Sequence, residues 1–295
     1  MDRRADVLGW KVAAVFTVRD MLTAWVLDPV PTIITLVIGT LYLSACRRSA
    51  AAGLGFPRGR AVLFCAGLLV VLVAVDGPPD AFAESSFSLH MVQHLLLQMV
   101  VAPLLVLGAP ITVLLRADPP WLPRRRLSSL LRSRILRVLT NPVLTMAAFV
   151  VVLVASHLTP LYELALENEQ VHQAEHIAYL LVALLLWWTA IGPDPAPRRL
   201  TSPARLLYLF LAMPPAAFLG VAIAGAGTVM YPHYLHDLPP WGWSALHDQH
   251  VAGTLMWEAG MFTFVPAAGY LLMRWLDEEN RRQERREQRT SPAGT

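Results

Sequence analysis

Seven apolar runs separated by polar segments set the plan of this chain, at about 30–46, 60–75, 87–115, 141–158, 173–191, 204–228 and 250–275. A helix rising about 1.5 Å per residue needs roughly 20 such residues to cross a hydrocarbon core about 30 Å thick. The pattern predicts an all-α fold: a polytopic membrane bundle of seven transmembrane helices over residues 30–275, between an N-terminal interfacial segment (1–29) and a charged tail (276–295). Asn141 stands where it would cap the fourth helix. Pro214 and Pro215 predict a kink in the sixth. Trp187 and Trp188 close the fifth run as a pair expected at the membrane interface.

The polar segments differ in charge. Arg47, Arg48, Arg58 and Arg60 follow the first run, seven arginines from Arg116 to Arg137 follow the third, and Arg198 and Arg199 follow the fifth. The segments after the second, fourth and sixth runs contain neither Lys nor Arg. The positive-inside rule then puts the N-terminus outside and the C-terminus in the cytoplasm. Residues 1–29 fit less simply, because Arg3, Arg4, Lys11 and Arg19 lie there beside Asp2, Asp6, Asp20 and Asp28.

Composition agrees. The chain is 55% hydrophobic and 15% charged, against roughly 45–50% and about 25% in soluble domains, and its mean hydropathy is +0.48. The net charge of +3 sits in short loops between apolar runs, which points to a membrane and not to nucleic acid. No cleavable signal peptide is expected. Cys46 and Cys65 are too few for a disulfide framework and are expected to pack within the first two helices.

The histidines carry the candidate chemistry. His90 and His94 open the third run, four residues apart, which sets them about 40° apart on one helix face and about 6 Å apart along the axis. His157 ends the fourth run, and His172 and His176 repeat the spacing at the start of the fifth. His233, His236, His247 and His250 lie around the start of the seventh. In the seven-helix topology all nine fall on the outer side. Histidine is the commonest metal-ligand side chain and a proton carrier near neutral pH, so the cluster suggests metal or haem handling, with the two pairs sharing one site if their helices are neighbours. Asp248 and Gln249 either orient imidazoles or cap the last helix. Glu258 lies about 12 Å deeper than His250 on nearly the same face, where a carboxylate is costly and suggests an ion or proton path. Met91, Met99, Met256 and Met261 are available thioethers, which favour copper(I).

Taken in order, HMVQHLLLQMVVAPLLVLGAP, SHLTPLYELAL, VHQAEHIAYLLVALLLWW, MYPHY and DQHVAGTLMW resemble the CtaG-type cytochrome c oxidase assembly factors, over about Trp25 to Trp275. The resemblance implies a seven-span bacterial plasma-membrane protein that is not an enzyme. It implies a role in assembling haem-copper oxidases, with oxidase subunits as partners and copper as the proposed cargo. Position by position it carries over His90, His94, His157, His172 and His176 as candidate metal ligands. Tyr231, Pro232, Tyr234, Asp248, Gln249, Gly253, Met256 and Trp257 match the later motifs, and Asp248, His250, Glu258 and Met256 are candidates for a supporting shell or pathway. Three other readings stay open: a haem-binding electron carrier, a copper or proton transporter, and a metallopeptidase suggested by the order His172, Glu175, His176.

Overall fold

The computed structural model describes residues 16–290, and every regular element among them is helical. A short α1 (Val18–Thr23) precedes two long antiparallel helices, α2 (Pro29–Ala51) and α3 (Arg58–Asp76). The one-turn α4 (Pro78–Ala81) leads into α5 (Phe87–Leu95), a π-helical segment (Leu96–Val101), α6 (Ala102–Leu107) and α7 (Pro110–Ala117). Two short helices, α8 (Arg124–Leu131) and α9 (Arg134–Leu139), precede α10 (Pro142–Leu158), α11 (Leu161–Glu167) and α12 (Glu169–Ile191). The chain ends in α13 (Ser202–Ala224), the single turn α14 (His233–His236) and α15 (Ala245–Thr290). Six helical stretches are long and apolar enough to cross a membrane, and α10 with α11 makes a seventh if that pair, bent by 70°, is one span. Of the N-terminal interfacial segment, residues 1–15 lie outside the described residues, as do 291–295 of the tail.

Local chemistry fixes the ends. Asp28, Ser86, Asn141 and Asn168 each cap the following helix by accepting a main-chain N–H with the side chain. Asn141 therefore does what its position predicts. Pro160 stands at the bend between α10 and α11, since proline supplies no N–H to continue the ladder. Pro214 and Pro215, by contrast, lie inside an α13 that stays helical throughout.

The third span is regular only at its ends. Ala102 donates to the carbonyl of Leu97, five residues back, so the carbonyl of Gln98 loses its α-helical donor. Its alternative in a π-turn is residue 103, which is a proline. The indole N–H of Trp187 fills the gap at 2.9 Å. Trp187 also stacks on Phe264, with ring centroids 5.1 Å apart, and is 1% exposed. Its ring is thus packed in the core of the bundle.

Packing is closest between α13 and α15. A Cβ on Gly253 would lie 2.4 Å from the amide nitrogen of Ala224, and one on Gly220 would lie 2.7 Å from the carbonyl oxygen of Gly253. Only glycine lets two membrane helices touch backbone to backbone in this way. Large apolar side chains such as Ile33, Leu69, Phe210 and Phe262 stay exposed on the outside of the bundle, as expected of a surface solvated by lipid.

Candidate metal centre

Three helix ends build the centre: the start of α5, the end of α10 and the start of α12. Asp248 on α15 fixes the first of these. It accepts hydrogen bonds from the hydroxyls of Ser86 and Ser88 and from the Ser88 amide at 3.2 Å, and it is 1% exposed. A carboxylate at a helix N-terminus also answers the helix dipole. The α5 start is thereby tied to the last helix, and His90 and His94 are carried inward one and two turns on.

His90, His94 and His172 converge, with one ligand atom from each within 4.8 Å of the others, and all three side chains are buried. The Nε2 atoms of His90 and His94 stand 3.1 Å apart. His176 packs between its own partner and the other pair, its ring centroid 4.1 Å from that of His172 and 5.3 Å from that of His94. His157 lies 6.4 Å from His94, centroid to centroid. The two pairs do meet, and α5 and α12 are neighbours at this point.

Hydrogen bonding directs the imidazoles. The Tyr234 hydroxyl donates to the carbonyl of Ala83 at 3.0 Å, so its 3.3 Å contact with Nδ1 of His90 has the imidazole N–H as donor. That leaves Nε2 of His90 as a bare lone pair facing the centre. Nδ1 of His157 lies 2.9 Å from both the carbonyl of Leu153 and the hydroxyl of Ser156, and 3.1 Å from the hydroxyl of Tyr179. Ser156 and Tyr179 also bond each other. Burial raises the hydroxyl pKa of both Tyr231 and Tyr234, so they act here as neutral phenols.

Glu175 brings a carboxylate into the same space, with Oε2 4.0 Å from Nε2 of His94. Both its oxygens are buried without a hydrogen bond, and so is Nδ1 of His94. A buried carboxylate in that state is costly without a nearby positive charge. Three convergent imidazoles, the thioether of Met91 against His157 and one unsatisfied carboxylate form a donor set that suits a cation. A cleft of about 770 Å³ reaches His90, His172 and His176 past apolar residues of α2, α3 and α12, such as Ile34, Val75 and Leu180.

Other candidates lie elsewhere. Asp248 anchors α5 and does not touch the imidazoles. Gln249 accepts from the Met230 amide at 2.7 Å and bonds the carbonyl of Thr228, and His250 meets the carbonyl of Ala226 at 3.0 Å, so both hold the loop before α14. His233 meets the carbonyl of Glu84, while His236 and His247 are exposed. Glu258 and Met261 are exposed on α15. Met256 is buried in the core cluster that also holds Met91. Cys46 and Cys65 are half-buried among the helices near Phe64. Tyr162 and Tyr179, which no histidine pattern singles out, close the site; Tyr179 follows Glu175 by four residues and so shares its face.

The family model described as cytochrome c oxidase caa3 assembly factor matches residues 40–278. The chain belongs to that family. Every residue of the centre lies inside the matched range. Among curated relatives, the uncharacterized proteins Mb0105 of Mycobacterium bovis and MT0111 of Mycobacterium tuberculosis are each 30% identical over 281 residues. ML1998 of Mycobacterium leprae is 29% identical over 282. Each alignment covers 93% of this chain, but the chain spans only 42% of the length of the first two relatives and 43% of the third. No solved structure matches it. With six to seven helices able to cross a membrane, this member of an oxidase-assembly family is a multi-pass membrane protein.

Proposed function

We propose that this protein binds copper at the His90–His94–His172 centre, on the outer face of the bacterial plasma membrane, and supports metallation of a haem-copper oxidase. The observation that carries this reading is the convergence of three buried imidazoles from two helices, within a chain of the caa3 assembly factor family. His176 and His157 stand close enough to extend the ligand set. The role is that of an assembly factor and not of an enzyme. Arginines in alternate loops support the outward orientation of the centre.

Bound copper would supply a soft, exchangeable Lewis acid. The chain's own residues do the rest. Tyr234 orients the lone pair of His90, Glu175 offers charge balance, and Tyr162 and Tyr179 exclude water. The cleft gives the imidazoles a way in or out, as a protein that passes its metal on requires. A haem held between histidines of two facing helices has less support, because the rings of His90 and His172 stand with centroids only 4.9 Å apart, which leaves no room for a porphyrin between them. A path through Glu258 has less support still, since that side chain is exposed.

The test is metal analysis of the purified, copper-loaded full chain. The expected outcome is about one copper per chain, as three buried ligands on one ion imply, lost in the His90→Ala/His94→Ala variant. Cells without the protein are expected to make a copper-poor oxidase. Wild-type protein that carries no copper after loading ends the reading.

A further inference from the structure

One contact in the centre pairs an imidazole with a thioether. Nε2 of His157 lies 3.3 Å from the sulfur of Met91. Nδ1 of His157 meets the Leu153 carbonyl and the Ser156 and Tyr179 hydroxyls, and with the proton on that side the ring turns its Nε2 lone pair to the sulfur. The pair is closed off from water, with Met91 1% exposed and His157 3%. The sequence places Met91 one turn before His94 on α5, while His157 arrives from the end of α10, so two separate helices are needed to set up the pair.

We propose that Met91 and His157 form a second, softer metal position beside the imidazole triad, selective for copper(I). This rests on the copper reading above and adds the oxidation state of the cargo and two steps in its passage. Bonds of about 2.0 Å to nitrogen and about 2.3 Å to sulfur put the two donors 3.3 Å apart at an angle of about 100° between them. A thioether is a neutral, polarisable ligand that favours copper(I) over copper(II) or zinc(II). Charge points the same way. Glu175 is the one carboxylate in the centre with unsatisfied oxygens, and one carboxylate neutralises a monovalent ion but leaves a divalent one with net charge in a low-dielectric site. The cleft reaches His90, His172 and His176 and reaches neither Met91 nor His157. An ion entering by the cleft thus meets the imidazoles first and the sulfur on the closed side.

X-ray absorption at the copper edge tests this on the full-length protein, loaded with copper(I) under anaerobic conditions in detergent. Wild type is expected to show a sulfur shell at about 2.3 Å beside nitrogen at about 2.0 Å. In Met91→Leu, which conserves volume, the sulfur shell is expected to vanish while nitrogen remains, with copper(I) affinity down at least about tenfold. Wild-type copper with a nitrogen-only shell overturns this proposal and leaves the copper reading standing. A sulfur shell that survives in Met91→Leu also overturns it, by placing the donor elsewhere. Wild type without copper overturns both. The wild-type spectrum decides the matter even if the variant does not fold.

Discussion

Trp187 donates its indole N–H to the main-chain carbonyl of Gln98 at 2.9 Å, which ties α12 to the one turn of the third span that cannot complete its own ladder. The same two segments carry His172 and His94, so this bond helps set the distance between the two halves of the centre. Trp187→Phe keeps the aromatic packing and leaves the Gln98 carbonyl buried and unsatisfied, which costs about 1–3 kcal/mol. The loss is expected as a lower midpoint in denaturing-detergent titration. Pro103→Ala returns an N–H to residue 103, so the Trp187→Phe penalty is expected to shrink in that background. Equal penalties in both backgrounds would show that Pro103 is not the cause.

Tyr234 holds the proton of His90 on Nδ1. Tyr234→Phe removes the acceptor while keeping the ring, and partners of this kind typically contribute about 10–100-fold to metal affinity. Copper(I) affinity from a competition titration is expected to fall within that range, with the fold intact by circular dichroism. Unchanged affinity would mean that another group, such as the Ala83 carbonyl, sets the tautomer.

Asp248 links the last helix to the first turn of α5 through Ser86 and Ser88. In Asp248→Ala two hydroxyls and an amide lose a charged acceptor, and bonds to charged groups are worth about 1.5–3 kcal/mol each. The expected result is faster hydrogen exchange over the first turn of α5 and a lower unfolding midpoint. Ser88→Ala is expected to give a smaller change in the same direction. Exchange confined to α15 would show that the clamp does not act on α5.

Gly253→Val puts a branched side chain where a bare Cβ already lies 2.4 Å from the backbone of Ala224. Neither backbone can yield by that much, and α13 and α15 are expected to part. The readout is the yield of monodisperse protein on size exclusion, expected to collapse for Gly253→Val and to fall less for Gly269→Val, where a Cβ meets nothing within 4 Å.

Hydropathy and arginine placement made the helical plan legible, because membrane spans must be long, apolar and bounded by polar loops. The ends were legible where one residue carries the whole cause, as at Asn141. The π-turn was not, since Pro103 alone reads as a kink and its resolution depends on Trp187, 84 residues on. His90, His94, His172 and His176 stood out because a four-residue spacing marks a helix face by itself. The tyrosines around them did not, because a phenol among apolar residues has no period to betray it. Glu258 misled for a related reason: depth along a helix is readable from spacing, but which face meets lipid depends on the neighbours α15 chooses.

The length of α15 has a mechanical meaning. Leu271 is its last buried residue among those described, and the helix continues through Arg274 to Thr290. From Arg274 to Glu287 the rise is about 20 Å, while charge screening acts over about 8 Å at physiological salt. Held at its foot by the bundle, the helix sets Arg285, Arg286 and Glu287 more than one screening length beyond Arg274, with their side chains exposed. Their charges therefore act on the water and not on the bundle.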